Sequence, residues 1–339
     1  MDDKKSLSER MEEQITEKLG DAFESVVKQK NEYYQGNPQK IPDVNSISSL
    51  ISSTALMNSA ISGGSSLIPG PYGMLAVVPE IILVIRNQIS LIYDIAAAHG
   101  KKDLMTKELA AMVFLSGMGA GAGSLIVVHG GKYLVRRASL RVFQRLIAML
   151  GGKVTQQALK STISKWLPGV GAAAMAAWTN YLTRQIGKKA HEIFSSEIVF
   201  DDGIADIEIV APLNAEKTES IEEAKSLEFY KIKALSNLMK VDGKSEEEEL
   251  EFLSSMIESS ALSAEDKLSL ISDISSTDSK LDGINAIAAS PADAIALITD
   301  MVALAKVDGK FHITEKMYIK QVGKILGFDD ADINEMINS

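Results

Sequence analysis

The chain has no cysteine among its 339 residues, which excludes disulfides and thiolate metal sites. Its four histidines (99, 129, 191 and 312) stand far apart in sequence, and neither H-E-x-x-H nor G-x-S-x-G occurs. No G-x-x-x-x-G-K-[ST] phosphate loop is present. "GMGAGA" (117–122) has the form of a dinucleotide fingerprint, but the acid required about 20 positions further on is missing. Aromatic residues make up only 6% of the chain. The arginine run from Arg136 to Arg145 is short of the interleaved rings that stack on bases, and nucleic acid is not expected as a partner. Met1 to Lys30 contains no apolar run of the secretory kind. With no catalytic constellation in view, no enzyme is expected.

What is present is a split of charge. Residues 1–50 carry 7 basic and 10 acidic side chains, residues 51–200 carry 15 and 6, and residues 201–339 carry 13 and 29, together the formal net charge of −10. A basic, apolar middle joined to an acidic half predicts two modules in two environments. The periodicities predict an all-α fold of two helical domains, the second an internally duplicated bundle. The expected divisions are an amphipathic helix and loop over 1–44, an apolar basic domain over 45–195, a linker or small hairpin over 196–218 and an acidic domain over 219–339. Met11, Ile15, Leu19, Phe23 and Val26 mark the apolar stripe of the first helix, and Gly36, Pro38 and Pro42 end it. Alternation at Ile198/Phe200 and Ile207/Ile209 around Asp202-Gly203 is the hairpin signal.

The acidic half writes L-x-K-V-D-G-K twice, at 238–244 and 304–310, each time with a glutamate seven places after the aspartate. Aligned on Asp242 and Asp308, the copies pair Phe252 with Tyr318, Leu253 with Ile319, Met256 with Val322, Leu262 with Phe328, Leu270 with Met336 and Ile271 with Ile337. Each copy reads as helix, Asp-Gly turn, helix, short loop, helix. Two physical roles are open to the acids. They can serve as turn and cap chemistry, with Glu249 and Glu315 in first turns where the macrodipole favours negative charge. Or two carboxylate-bearing corners can converge on a hard cation, Ca²⁺ or Mg²⁺/Mn²⁺. The EF-hand spacing is absent, since Leu238 and Lys240 occupy the places of its first two ligands.

"ALAKVDGKFHITEKMYIKQVGKIL", from Ala303, resembles the tellurite-resistance TerB family over roughly residues 220–339. That resemblance implies an all-helical, internally duplicated domain binding divalent metal through acidic residues, of a bacterial stress-response type. Carried over by position, the metal candidates are Asp242, Glu249, Asp308 and Glu315, with Glu246 as a further one whose counterpart is His312.

In the middle, the helix within 65–100 carries Glu80, Arg86, Asn87, Gln88 and Asp94 and is expected to lie inside protein with those groups paired. Residues 109–128 carry no charge and are long enough to span a bilayer. Gly117, Gly119, Gly121 and Gly123 form interleaved G-x-x-x-G spacings there, and Arg136, Arg137 and Arg141 follow as a basic flank suited to anionic lipid. These seven are the candidate membrane-contact residues; a tightly packed helix in a soluble bundle is the other reading. The paired corners Ile68-Pro69-Gly70 and Leu167-Pro168-Gly169, with Gln185-Ile186-Gly187, resemble the EcsC-like family over about 45–195, which implies a helical domain associated with bacterial membranes. The resulting expectation is a cytoplasmic scaffold, peripheral or integral to the inner membrane, responsive to a divalent cation and meeting anionic lipid and an unidentified protein partner. The alternative is a membrane-inserting effector or toxin whose helix 109–128 enters the bilayer.

Overall fold

The computed structural model describes residues 7–62, 78–119, 125–161, 170–205, 221–241, 243, 247–260, 262–274, 283–288, 291–306 and 311–338. Among these lie thirteen α-helices and three strands, so the fold is helical, as expected, with one small sheet added. The chain divides into a unit of residues 1–159 and 179–216 and a unit of residues 160–178 and 217–339.

In the first unit, α1 (Leu7–Gly36) buries Met11, Ile15, Leu19, Phe23 and Val26, the stripe seen in the sequence. It ends where Gly36 and Pro38 break the pattern, and its buried stripe packs on α3 (Val78–Ala98). α2 (Ile47–Ser62) also packs on α3. Among the described residues, α3 is the one helix long and apolar enough to cross a membrane, and most of it is buried in protein. Most of its polar groups are paired within the fold, as expected of a core helix, though Glu80 Oε2 and Gln88 Oε1 are buried with no hydrogen-bond partner among the described residues. The Arg86 guanidinium donates to the Ser25 hydroxyl at 2.9 Å, the Asn87 amide to Asn58 Oδ1 at 2.8 Å and the Gln88 amide to Thr183 Oγ1 at 2.9 Å. Lys30 Nζ donates to both Asp94 oxygens at 2.7 and 2.8 Å, and the Tyr34 hydroxyl donates to Oδ1 at 2.7 Å. Burial first, then that bond to a carboxylate, raise the Tyr34 hydroxyl well above its ordinary value.

α4 (Lys107–Gly117) follows, N-capped by Thr106, whose hydroxyl accepts from the Leu109 N–H at 3.2 Å. Strands β1 (Ile126–His129) and β2 (Lys132–Ala138) are antiparallel and joined at Gly130-Gly131, both with positive φ as a type I′ turn demands. α5 (Leu140–Ser161) and α6 (Val170–Ser195) lead to β3 (Ile198–Ala205). β3 adds parallel to β2, giving the order β1-β2-β3. Residues 198–205 are thus a sheet strand and not a linker, and Asp202-Gly203, expected as a turn, form a bulge between the Asp201 and Ile204 pairings. The return strand expected at Ile207 and Ile209 lies outside the described residues.

In the second unit, α7 (Ile221–Met239) packs with α8 (Glu247–Ser259) and α9 (Ala264–Ile274). After the short α10 (Ile284–Ala288), α11 (Pro291–Leu304) packs with α12 (Ile313–Ile325) and α13 (Asp330–Asn338). α8 and α12 are each 13 residues long and begin 66 positions apart, and so do α9 and α13. That is the interval between the sequence repeats. The aligned pairs Leu253/Ile319, Leu262/Phe328 and Leu270/Met336 are buried in both copies. The copies part at Ile271, which is 52% exposed, whereas Ile337 is buried.

Candidate functional site

The acidic corners of the second unit are built from helix ends. Glu249 and Glu315 are each the third residue of a helix, α8 and α12, and both are buried, at 6% and 3% exposure. Carboxylates that far from water have to be compensated, and the first turn of a helix offers backbone N–H groups and the positive end of the macrodipole. Glu315 Oε2 accepts the His312 backbone N–H at 2.7 Å, so one of its oxygens serves as cap for α12. Gly243 takes a positive φ of 75°, the left-handed backbone that glycine adopts without steric cost where a helix stops. Asp242, Asp308 and Glu246 lie outside the described residues. Among the described residues, no group of three or more His, Asp or Glu is gathered around one point.

The two corners are not used alike. Lys240 donates to the backbone carbonyl of Asp273 near the C-terminus of α9, where a cation is favourable. Its counterpart Lys306 sits over the Phe311 ring at 5.9 Å, and Lys316 lies on the same ring at 4.7 Å.

A second acidic grouping in this unit escapes the sequence reading. Lys231 Nζ of α7 pairs with Asp293 Oδ1 of α11 at 2.5 Å, with both side chains largely buried. About two turns further along the same face, burial pushes the Asp300 carboxyl up to about 6, with Lys231 pulling against it. The signal was there: Asp293 and Asp300 are seven residues apart on an otherwise apolar helix, hence on its inward face.

Asp300 gives a pH-dependent prediction. Its folded-state value lies above the ordinary 3.8, so the fold favours its neutral form. Stability from this group is complete below about pH 4 and is lost as pH rises through about 6. Asp300→Asn is therefore expected to stabilise the domain at pH 8 by up to about 3 kcal/mol and to match the parent at pH 4. Urea unfolding at the two pH values measures this; an equal gain at both rules out the charge as the cause.

Residues 231–338 match the family model for Tellurite resistance protein TerB. The C-terminal part of the chain is thus a TerB-like domain. The match opens at Lys231, the residue that pairs with Asp293, and closes at the end of α13, so it spans both copies of the repeat. It does not reach residues 45–195. No curated protein and no solved structure matches the chain.

In the first unit, the structure corrects the reading of 109–128 as one helix. α4 stops at Gly117, Gly119 turns left-handed at φ 71°, and 126–129 are strand. Leu109 to Leu115 are all buried in protein. Gly117 admits a neighbouring helix of this same unit, because a Cβ there would stand 2.6 Å from the Ile186 Cα of α6. Gly121 and Gly123 lie outside the described residues. Arg137 and Arg141 are exposed on β2 and α5, and Arg136 is partly buried. The histidines are also less scattered than their numbers imply: His99 Nε2 and His191 Nδ1 are 3.0 Å apart. Burial first, then His191, lower the His99 value.

Proposed function

We propose that the chain is a non-enzymatic bacterial interaction protein of a stress-response type, its TerB-like domain responsive to a divalent cation and its basic half associated with an anionic membrane surface on the cytoplasmic side. The observation that carries this reading is the TerB match across a duplicated acidic helical unit. In support of cation binding, Glu249 and Glu315 occupy the same helical position in both copies and are both buried. In this mechanism Ca²⁺, Mg²⁺ or Mn²⁺ relieves the repulsion among Asp242, Glu249, Asp308 and Glu315, with Glu246 as a further ligand on the first copy only. The bound ion fixes how the repeats pack, and a protein partner reads that packing.

The test is calorimetric titration of the full chain with Ca²⁺, Mg²⁺ and Mn²⁺, beside a variant carrying Asp242→Asn and Asp308→Asn. These positions are preferred to the glutamates because Glu315 also caps α12. The parent is expected to give saturable heat with one of these ions, and the variant to bind it at least tenfold more weakly. Equal heats in the two proteins remove the proposed ligands, and no heat in the parent removes the cation altogether.

A further inference from the structure

The same basic half shows where it would meet lipid, and it is not the stretch that the hydropathy of the sequence points to. From Leu109 to His191 there is no acidic residue, against eleven lysines and arginines. Within that stretch the β1–β2 hairpin and the start of α5 expose aliphatic side chains next to cations. Val127 is 42% exposed, Val128 at the hairpin end 61% and Leu140 at the start of α5 64%. Lys132, Arg137, Arg141 and Arg145 are exposed beside them in sequence. Register explains the sheet's share. Tyr133 and Val135 on β2 point into the core and are buried. On the opposite face Val127, Leu134 and Val199 are cross-strand neighbours in one row over all three strands, and none of them is buried; Val128 pairs with Tyr133 on the other face and is exposed because it lies at the hairpin end. Two acids stand beside this surface: Glu197 holds Lys132 at 2.8 Å, and Glu192, which accepts from the Tyr133 hydroxyl, holds Lys189 at 2.8 Å; Asp201 pairs in register with Arg136.

We infer that this surface, the β1–β2 hairpin with the first turns of α5, is the element that docks on an anionic phospholipid bilayer. The valines and Leu140 enter the headgroup boundary, and Lys132, Arg137, Arg141 and Arg145 meet phosphate. The inference rests on the membrane-associated reading proposed above. The occupant follows from chemistry. Cations interspersed with exposed aliphatics fit a headgroup boundary. Single-stranded nucleic acid needs a platform of stacking rings, and of the hairpin's two rings Tyr133 is buried, which leaves His129 alone at the exposed end.

The full chain is to be sedimented with vesicles of phosphatidylcholine alone and with vesicles one third phosphatidylserine. The parent is expected to bind only the anionic vesicles. The triple variant Arg137→Ala, Arg141→Ala, Arg145→Ala is expected to bind them at least tenfold more weakly, since each cation near a charged surface contributes about fivefold. Val128→Asp is the second variant, chosen because an exposed hairpin end tolerates a charge without loss of fold; it too is expected to weaken binding, with helical circular dichroism unchanged. Failure of the parent to bind anionic vesicles overturns the membrane reading and this surface with it. Parent binding that both variants retain leaves that reading standing and overturns this surface alone. Binding to oligonucleotides, lost in the triple variant, with none to vesicles, assigns the cations to nucleic acid and overturns the proposal.

Discussion

Replacing Lys231 by methionine is expected to lower the unfolding free energy of the TerB-like domain by about 3 kcal/mol at pH 8, with a smaller loss as the pH falls toward 4. Methionine keeps the length of the stem and so isolates the charge. Two effects act together. The cation 2.5 Å from the buried Asp293 disappears, and so does the charge that keeps Asp300 from rising above about 6. Asp300 then favours its neutral form more strongly in the folded state, and Asp293 is left buried without its cation. A group raised in this way contributes stability that is full below its unfolded value, near 4, and lost as pH rises through its folded value. The variant is therefore most impaired in alkaline buffer and recovers part of its deficit in acid. Asp300→Asn in the Lys231→Met background is expected to restore part of the loss at pH 8. Denaturant unfolding of the parent and the two variants at pH 4, 6 and 8 measures the effect; a deficit independent of pH assigns Lys231 a packing role only.

Gly117→Ala is expected to destabilise the first unit by about 2 kcal/mol, although alanine is the better helix former by roughly 0.5–1 kcal/mol. The new methyl would lie 2.6 Å from the Ile186 Cα and 2.9 Å from its Cγ1, so α4 and α6 have to separate. Adding Ile186→Ala removes the Cγ1 contact but leaves the backbone one, and so restores little. Gly119→Ala makes the useful contrast. Nothing lies within 4 Å of a Cβ there, and its cost of about 1 kcal/mol comes from the left-handed backbone alone. Thermal melts of the three variants check this. An unchanged melting temperature for Gly117→Ala sinks the internal-packing account and returns the glycine spacing to a membrane role.

Much of the second unit was legible because its signal is internal. The L-x-K-V-D-G-K repeat set the interval of 66, and the helices of both copies keep it to the residue at the starts of α8 and α12. The amphipathic stripe of α1 and the paired polar groups of α3 were readable for a related reason: periodicity and the cost of burying charge act locally along a helix. The first two strands of the sheet were missed, though the alternation at Ile198/Phe200 marked the third. Ile126 to Val135 has β-branched residues on both sides of Gly130-Gly131, a hairpin signal, but Ile126 to Val128 were read as the tail of an uncharged run. Its third strand comes from beyond α6, a partner that no local window contains.

The sequence by itself determined the helical class, the duplication, the separation of charge between the halves and the stripe along which each amphipathic helix buries itself, because these depend on residue type and spacing alone. Only the tertiary structure decided that Gly117 serves a helix contact, that Lys231 answers two acids on α11, that His99 meets His191 and that the apolar row of the sheet faces outward. Each of these joins residues far apart in the chain, and such distances are set by packing, which no single segment encodes.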